Sequence, residues 1–537
     1  MRQRKHWGWG YEDQQPSLAD LRVSATEIRE RLGFGGEPEE PVPLEAIDLP
    51  APRLAPPPSL ASIVSADHRE RVSHALGKAY TDAVRGFRGQ IDHPPDLIAS
   101  PNDEAELEQV LAWSADAGAA AIPYGGGTSV VGGIEPRVGD GYSGVVTIDL
   151  RALDRVLEVD PVSRAARIQA GVLGPSLNEQ LAEHGLTLRH FPQSFEYSSL
   201  GGWIATRAGG HFATVWTHID DLVESVRAIT PAGAWESRRL PGSGAGPSPD
   251  RMLIGSEGIL GVITEAWVRV HRRPEHKLSC GVAFESFPAG AEAVRALAQS
   301  GLNPANCRLL DPTESEITHA DDRGRATLVL GFESADQPVD ALMEQAIELA
   351  RDHGGEPGEV RGRRPAGGEG DAVGAWRHAF LAAPYLRDTF VAVGVLSDTF
   401  ETAITWDRFP DFHATVIEAA RAAVAEASGS AEGDAAPKVM CRFTHVYPDG
   451  PAPYFTVLAP ARRGSEVEQW AEIKAAVSEV LIDAGGTITH HHAVGRDHRP
   501  WYDRQRPELF ADALRAAKRA VDPAGVLNPG VLIDPAL

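Results

Sequence analysis

The sequence predicts an α+β fold built from two lobes. Between residues 93 and 272, short apolar strands alternate with helical patterns, and from residue 274 to about 480 the strands and helices follow a pattern typical of an antiparallel sheet. A chain of 537 residues is long enough for two or more domains with a large core. We expect residues 1–92 to pack on the body as a helical and extended region, 93–273 and 274–480 to form the lobes, and 481–537 to return to them.

Hydrophobic periodicity and turn residues give the order of the elements. Up to the end of the first lobe they predict a polar helix near 17–31, an extended connection at 36–58, a helix at 102–117, strands at 119–122, 145–150, 155–159 and 166–170, a helix at 175–184 and a surface loop at 237–250. Beyond it they predict helices at 291–300, 339–353, 412–426 and 511–521, and strands at 326–332, 391–396 and 454–458. Segments 355–373 and 427–437 are rich in Gly, Ala and Glu, and we expect them to be mobile.

The composition excludes several classes of protein. A net charge of −24 disfavours nucleic-acid partners and unspecific attraction to anionic lipid. The three cysteines lie far apart, form no C-x-x-C pair and fit a reducing cytosol. No apolar run approaches the ~18 residues of a membrane span, and no apolar segment follows the basic N-terminus as it would in a secretory signal. We therefore expect a cytoplasmic protein.

The rest of the chain is organised around a glycine-rich segment, which consists of Pro123, Tyr124, Gly125, Gly126, Gly127, Thr128 and Ser129. Three consecutive glycines permit positive φ and close approach to a ligand, and successive amide N–H groups form a nest for an anion. No helix is predicted after Ser129 and no Lys follows the last glycine, which argues against a dinucleotide-binding fold and a P-loop. A diphosphate held by main-chain amides fits this segment.

Two further segments combine glycine with small or hydroxyl side chains. The residues concerned are Gln193, Ser194, Tyr197, Ser198, Ser199, Gly202, Thr206, Arg207, Ala208 and Gly209 in one, and Glu257, Gly258, Leu260, Gly261, Val262 and Ile263 in the other. Each alone is compatible with a tight turn. Three such segments between residues 123 and 263 favour one extended ligand that all of them contact.

Together these segments resemble the FAD-binding segments of the vanillyl-alcohol oxidase / p-cresol methylhydroxylase flavoproteins, and within them the alkyldihydroxyacetonephosphate synthase family. The marks of that family are Trp7-Gly8-Trp9-Gly10-Tyr11, Arg308-Leu309-Leu310-Asp311, Pro384-Tyr385-Leu386-Arg387-Asp388, Phe400-Glu401-Thr402-Ala403, Tyr454-Phe455 and His490-His491-His492-Ala493-Val494-Gly495. The resemblance covers nearly the full length. It implies non-covalent FAD, a two-lobed FAD-binding PCMH-type domain at 93–273, a ferredoxin-like α/β cap at 274–480, and a C-terminal segment that returns to the active site.

The resemblance also implies a reaction and the residues that carry it. A long-chain alcohol replaces the acyl chain of acyl-dihydroxyacetone phosphate, and the flavin N5 traps the ketone carbon with no net redox change. Tyr454 is then the proton-transfer residue, Arg387 grips the phosphate, and Thr399 is a substrate-side hydroxyl. His490, His491 and His492 complete the site, and Arg308 orients the flavin region or the tyrosine. The substrates are thus a lipid-like phosphorylated ketone and a fatty alcohol, with a homodimer and a peripheral membrane contact as further expectations.

Each of these side chains also has a purely structural interpretation. A guanidinium forks onto two phosphate oxygens, but Arg387 could instead pair with Asp388 or Glu401, and Arg308 with Asp311. Tyr454 is an ordinary half-buried strand residue otherwise. To act as a base it must either be held as a phenolate, with a pKa lowered by nearby cations or donors such as Arg387 or the histidines, or share its proton.

Three adjacent histidines could also suggest a metal site. Neighbouring side chains on a strand alternate faces, however, so we predict that the triplet binds no metal.

Two other functions share the same flavin segments. One is an FAD-dependent oxidoreductase of a 2-hydroxy acid or other small alcohol, similar to D-lactate or glycolate dehydrogenases. The other is a flavin-binding protein without catalysis, which the polar site residues disfavour. Fold analogy alone does not decide between these chemistries.

Overall fold

The computed structural model describes residues 2–362, 372–429 and 435–534. The predicted mobile segments 355–373 and 427–437 lie partly outside these ranges, so that prediction stays open there. Among the described residues, no helix combines the length and the apolar character that crossing a bilayer requires.

The described helices and strands follow the predicted alternation closely. The helices are α1 (Leu18–Leu32), α2 (His68–Ser73), α3 (Tyr80–Phe87), α4 (Glu104–Ala117), α5 (Gly174–Ala182), α6 (Leu200–Thr206), α7 (Asp250–Leu253), α8 (Phe287–Gln299), α9 (Pro312–Ile317), α10 (Asp340–Asp352), α11 (Ala372–Ala392), α12 (Phe409–Ser428), α13 (Glu466–Asp483), α14 (Arg499–Gln505) and α15 (Glu508–Val521). The strands are β1 (Val64–Ser65), β2 (Leu97–Ala99), β3 (Ala120–Tyr124), β4 (Val145–Asp149), β5 (Val156–Asp160), β6 (Ala165–Gln169), β7 (Leu186–Thr187), β8 (Val223–Thr230), β9 (Gly233–Glu236), β10 (Val262–Arg269), β11 (His271–Arg272), β12 (His276–Phe284), β13 (Asn306–Leu310), β14 (Ala326–Ser334), β15 (Glu356–Pro357), β16 (Val395–Glu401), β17 (Lys438–Val446) and β18 (Pro451–Pro460).

The first lobe contains two sheets. One has the order β1-β2-β4-β3 with parallel pairing of β2, β4 and β3, and the other is antiparallel with the order β5-β6-β10-β8-β9. Helix α4 packs its apolar face, including Leu107 and Leu111, against the first sheet. The buried Trp203 of α6 packs with the core of the second sheet. Because α6 follows the Gln193–Ser199 region directly, this packing fixes that segment beside the glycine-rich one.

The second lobe is a seven-stranded antiparallel sheet. Its order is β15-β12-β14-β13-β17-β18-β16, and helices such as α8, α10 and α12 bury their apolar faces against it. The predicted α+β fold with an antiparallel cap is confirmed. Adjacent strands β16, β18 and β17 carry Thr399, Tyr454 and Arg442, which brings these three side chains together.

The boundary between α11 and β16 was predicted wrongly. The apolar run at 391–396 reads as a strand, but α11 continues to Ala392 and β16 begins only at Val395. Gly394, with φ of 72°, separates them. A short apolar run does not distinguish a helix end from a buried strand, so periodicity alone misplaced this boundary.

Both ends of the chain return to the body. Near the N-terminus, buried Trp7 packs edge-on against Phe87 of α3 at 5.1 Å between ring centroids. Near the C-terminus, Leu527 pairs with Ala121 of β3, next to the glycine-rich segment.

Candidate functional site

The glycine-rich segment leaves β3 and turns beneath the loop at 197–199. A Cβ atom on Gly126 would lie 1.9 Å from the Tyr197 carbonyl oxygen, and Gly127 has φ of 72°, so both positions require glycine. Gly126 and Gly127 are buried, yet within the described parts of the chain their amides have no acceptor. Buried amides without acceptors are what a nest for a bound diphosphate requires.

The other two predicted segments meet this one. Ser199 caps α6 by accepting from the Gly202 amide at 3.3 Å, and its side chain touches Gly125. On the opposite side, Gly258 lies against the Pro123 ring. The structure therefore brings all three predicted cofactor segments together.

Glu257 links this region to the distal part of the chain. Its carboxylate accepts hydrogen bonds from the amides of Val494 at 2.9 Å and Gly495 at 2.8 Å. Burial raises the pKa of Glu257 to about 7, and the two amides oppose that shift. The Asn528 side chain donates to the Glu257 carbonyl at 2.7 Å and to the Gly133 carbonyl at 3.0 Å. The family resemblance predicts that Glu257 binds the cofactor. In the structure its side chain binds the backbone of Val494 and Gly495, just after the three histidines.

Tyr454 lies on β18 with its ring buried between other site residues. Its hydroxyl donates to Thr399 Oγ1 at 3.0 Å, and the Arg442 guanidinium lies 4.1 Å from the ring centroid. His491 stacks on the same ring at 5.9 Å between centroids, and His492 approaches it edge-on at 5.4 Å.

The electrostatics of Tyr454 differ from the expectation. Burial raises the pKa of Tyr454, and Arg442, the Thr399 hydrogen bond and Arg387 only oppose that rise. Of the two states considered from the sequence, the phenolate with a lowered pKa is therefore disfavoured, because desolvation outweighs the nearby cations, and the shared proton remains. A neutral phenol at this position shares its proton rather than carrying a charge.

The three histidines do not lie on a strand, contrary to the assumption made from the sequence. They lie in a turn around the buried Glu401 carboxylate, which accepts from the amides of His490 at 2.7 Å, His491 at 3.2 Å and His492 at 3.1 Å. Thr489 Oγ1 donates to the same carboxylate at 2.5 Å. Burial would raise the pKa of Glu401, but His491, His492 and these donors lower it to about 2.

A metal ion is geometrically conceivable near this turn. The nearest nitrogens of His445, His490 and His491 lie within 4.8 Å of one another. The His445 ring nitrogens already contact Thr444 Oγ1 and the Gly210 carbonyl, both at 3.2 Å, and the His490 nitrogens contact Tyr447 at 2.8 Å and His491 at 3.1 Å. Hydrogen bonding thus accounts for these imidazoles, and the absence of a metal stays a prediction.

Arg387 pairs with neither of the carboxylates considered from the sequence. Asp388 bonds Lys5 and Glu401 bonds the histidine turn, whereas Arg387 Nη1 donates to the Lys78 carbonyl at 2.7 Å. The Nε atom of Arg387 is buried and has no hydrogen-bond partner among the described residues. An unsatisfied guanidinium N–H near Tyr454 fits an anionic ligand group.

Arg308 is buried and orients a loop of the first lobe. Its guanidinium donates to Asn306 Oδ1 and to the His211 carbonyl, both at 3.0 Å. Burial, reinforced by Arg442, lowers the pKa of Arg308 to about 10. Asp311, the ion-pair partner considered for it, instead caps α9 and accepts from the Cys441 amide at 2.6 Å.

Sequence reasoning missed several residues of this region. Arg442 was given no role from the sequence, yet its guanidinium lies over the Tyr454 ring. Arg4 donates to the Gly126 carbonyl at 3.0 Å, and the Lys78 amide donates to the Ser129 carbonyl at 2.6 Å. For Arg4, one sequence signal was available: basic residues directly precede the aromatic cluster Trp7–Tyr11, so a cluster that packs on the body would bring their charges with it.

Comparisons with known proteins show the family of the chain. The family model "FAD binding domain" matches residues 95–237, and "FAD linked oxidases, C-terminal domain" matches residues 273–532. The chain is 30% identical over 493 residues to the alkyldihydroxyacetonephosphate synthase of Trypanosoma brucei brucei, covering 87% of this chain and 78% of the relative. It is 29% identical over 549 residues to the synthase of Dictyostelium discoideum, covering 94% and 87% of the two chains. A more distant relative is the glycolate oxidase subunit GlcD of Bacillus subtilis, which is 26% identical over 459 residues, covering 82% and 89%.

Solved structures show the same architecture. An alkyldihydroxyacetonephosphate synthase superposes with a TM-score of 0.78 at 25% identity over 98% of both chains. A p-cresol methylhydroxylase with bound substrate superposes with a TM-score of 0.68 at 15% identity, covering 88% of this chain and 94% of the other, and this similarity concerns the fold alone. The predicted PCMH-type FAD-binding fold is confirmed.

Proposed function

Because the chain belongs to the alkyldihydroxyacetonephosphate synthase family, we propose that it exchanges the acyl chain of acyl-dihydroxyacetone phosphate for a long-chain alcohol. The products are an alkyl ether and a fatty acid, which takes up the hydrogen of the alcohol. The proposal rests on one observation: the Tyr454 hydroxyl, the Arg387 Nε without a partner and the histidine turn lie in the same region.

FAD is the cofactor, and the residues present fit it. The buried amides of Gly126 and Gly127 without acceptors suit its diphosphate, which we propose binds in the predicted segments. When bound, the flavin supplies an electrophilic centre that holds the substrate carbon covalently without net redox change.

The side chains of this protein then bind and move protons. We assign the substrate phosphate to Arg387, whose Nε has no hydrogen-bond partner among the described residues and whose Nη1 is held by the Lys78 carbonyl. Tyr454 takes part in removing the proton beside the ketone. Since burial keeps this phenol neutral, its hydroxyl must give up its own hydrogen when it accepts the substrate proton, and Thr399 Oγ1 is the acceptor to which it is hydrogen-bonded. Thr399 and Arg442 hold its hydroxyl and ring in place.

We expect purified protein to be yellow and to form an ether product from acyl-dihydroxyacetone phosphate and a fatty alcohol, detected by mass spectrometry. Tyr454→Phe should retain flavin absorbance and lose alkyl transfer by about 10²–10⁴-fold, the usual contribution of a proton-transfer group. Tyr142→Phe is the matched control, because among the described residues the Tyr142 hydroxyl bonds only the Gly525 carbonyl. Full transfer by Tyr454→Phe would remove this tyrosine from the mechanism.

A second candidate is oxidation of a small 2-hydroxy acid, favoured by the similarity to the glycolate oxidase subunit. This activity predicts that a hydroxy acid bleaches the flavin under anaerobic conditions. Bleaching without ether formation would replace the first assignment.

The assembly and location are proposals as well. We propose a cytoplasmic homodimer with peripheral membrane contact, supported by substrates that carry long alkyl chains. Sedimentation of the holoprotein would give its mass, and flotation with lipid vesicles would test the contact.

We also propose that residues 93–273 and 274–480 are separate domains, supported by family matches at 95–237 and 273–532. Limited proteolysis should then cleave the chain between them.

A further inference from the structure

The loop before α3 connects the glycine-rich segment to α11. The Lys78 amide donates to the Ser129 carbonyl at 2.6 Å, and the Lys78 carbonyl accepts from Arg387 Nη1 at 2.7 Å. A Cβ atom on Gly77 would lie 2.4 Å from the Ser129 carbonyl oxygen, so the loop lies tightly against the glycine-rich segment. The backbone of Lys78 is thus held by the segment and by the side chain to which we assign phosphate groups.

The ammonium group of Lys78 lies in an enclosed space. The residue is half-buried, and its Nζ makes no hydrogen bond or ion pair with any described residue. Burial lowers the pKa of Lys78 to about 8, although Asp388 and Asp82 oppose the shift. Arg4 and Lys5 act in the same direction as burial. An ammonium on the open surface would stay hydrated and would not be perturbed in this way.

The two carboxylates that act on Lys78 already have other cations as partners. Asp388 bonds Lys5 Nζ, and Asp82 accepts from Arg85 at 2.7 Å. Within the described part of the chain, neither carboxylate forms an ion pair with Lys78. A structural ion pair therefore does not account for this lysine.

Three cations near the glycine-rich segment lack a carboxylate partner among the described residues. They are Lys78, Arg387 and Arg4, which donates to the Gly126 carbonyl at 3.0 Å. Carbonyl groups accept hydrogen bonds from the two guanidinium groups but do not compensate their charge. Because buried charge without a counterion is costly, this cluster requires an anion. The chain as a whole carries a net charge of −24, so the local excess of positive charge does not reflect its composition.

We propose that Lys78 is a phosphate-binding residue, whose Nζ donates to a phosphate oxygen in the space bounded by the glycine-rich segment and α11. The inference rests on the proposed function. Two phosphate groups belong to this region: the FAD diphosphate, which we assign to the amides of Gly126 and Gly127, and the substrate phosphate, which we assign to Arg387. An ammonium presents three donors and a full positive charge, which main-chain amides lack.

Binding measurements with Lys78→Met test this role, because methionine has a similar length and no charge. Dilution of the holoprotein releases FAD, whose fluorescence gives one dissociation constant. Calorimetry with dihydroxyacetone phosphate on the FAD-saturated protein gives the other. At pH 7 at least one of them should rise about 10–100-fold, as expected when a hydrogen bond to a charged group is lost, and the ligand affected identifies the phosphate.

Two further variants serve as controls. Lys78→Arg keeps the charge and should largely retain both affinities. Lys277→Met removes a lysine of β12 that lies 3.7 Å from Glu333, and it should match the parent. If Lys78→Met binds FAD and dihydroxyacetone phosphate as the parent does, the inference is overturned.

The pH dependence of the parent protein gives a second test. Because the pKa of Lys78 is about 8, its ammonium loses the proton above that pH, and the dissociation constant of its ligand should rise about tenfold from pH 7 to pH 9.5. In Lys78→Arg it should stay constant, since a guanidinium remains charged. The variant keeps the other charged groups that face Lys78 from the N-terminus, α3 and α11, so their effects cancel in the comparison; these are Arg4, Lys5, Asp82, Arg387 and Asp388.

The outcomes separate this inference from the proposed function. A dissociation constant that rises equally in the parent and in Lys78→Arg, or in neither, would overturn the role of Lys78 even if ether product forms. Loss of phosphate affinity in Lys78→Met, together with absence of any ether product, would refute the proposed function and leave Lys78 as a phosphate-binding residue.

Discussion

At residue 401, one carboxylate holds the backbone of three consecutive histidines. Glu401 is fully enclosed and accepts from three main-chain amides and the Thr489 hydroxyl. Hydrogen bonds to a buried charge are stronger than those to neutral groups, and each donor would be costly to leave unpaired. The orientation of His491 and His492 towards Tyr454 therefore depends on Glu401.

We predict that Glu401→Gln lowers the free energy of unfolding by about 2–3 kcal/mol at pH 7, since an amide cannot accept from all four donors. Because the folded pKa of Glu401 is about 2, against an ordinary value of 4.5, its contribution is present above pH 4.5 and is lost as the pH falls towards 2. Urea unfolding at several pH values measures the difference between variant and parent, which should shrink below pH 4.5. Glu183→Gln is the control, because this exposed carboxylate has no hydrogen-bond partner among the described residues. A difference independent of pH would contradict the argument.

How well single residues could be predicted depends on what they bind. The roles proposed for Tyr454, Arg387 and the histidines depend on their side chains, so residue type and context indicated these residues. The role of Glu401 arises from backbone amides whose direction is set by a turn, and no sequence pattern describes that turn. The direction of the pKa shift of Tyr454 could not be predicted either, because desolvation depends on neighbours from three strands.

At the scale of elements, the N-terminal hook, residues 4–11, connects the glycine-rich segment to α11. Arg4 donates to the Gly126 carbonyl at 3.0 Å, while Lys5 and the Trp9 amide both bond the buried Asp388 carboxylate. Asp388 follows Arg387 directly on α11. The hook thus fixes the turn of α11 that carries Arg387, the proposed phosphate-binding residue.

We predict that Lys5→Met destabilises the protein by about 3 kcal/mol, because it leaves Asp388 buried without its cation. If the hook also positions Arg387, KM for the phosphorylated ketone should rise more than kcat falls. A double-mutant cycle with Asp388→Asn measures the coupling, and restoration of KM by Lys5→Arg would support positioning by charge. Equal losses in kcat and KM, with no coupling in the cycle, would count against this role.

The elements themselves were largely predictable, with instructive exceptions. Helices α4 and α12 and strand β14 have long periodic patterns, so local sequence decided them. The end of α11 at Ala392 was missed because apolar residues continue across the boundary, and the aromatic hook could not be docked because its partners lie some 380 residues away in sequence.

At the scale of the whole molecule, burial lowers the pKa values of several imidazoles. Burial lowers the pKa values of His190 to about 3 and of His211, His271, His413 and His498 to about 4, from an ordinary value of 6.5. On unfolding, each takes up a proton between pH 6.5 and about 4 that the folded state excludes. Stability therefore falls steeply as the pH drops through that window.

His413 isolates one such contribution outside the candidate site. Its ring packs at 5.0 Å from Phe287, 5.4 Å from Phe409 and 6.3 Å from Phe455, and its Nε2 has no hydrogen-bond partner among the described residues. A phenylalanine fits these neighbours and has no proton to gain. In His413→Phe the free energy of unfolding, relative to the parent, should therefore rise by about 2 kcal/mol between pH 7 and pH 5, which corresponds to 1.36 kcal/mol per pH unit below 6.5. Urea unfolding of the holoprotein at both pH values measures this change, with the exposed His184→Gln as control. Curves for parent and variant that stay parallel from pH 7 to pH 5 would show that the His413 imidazole is not held neutral by its burial.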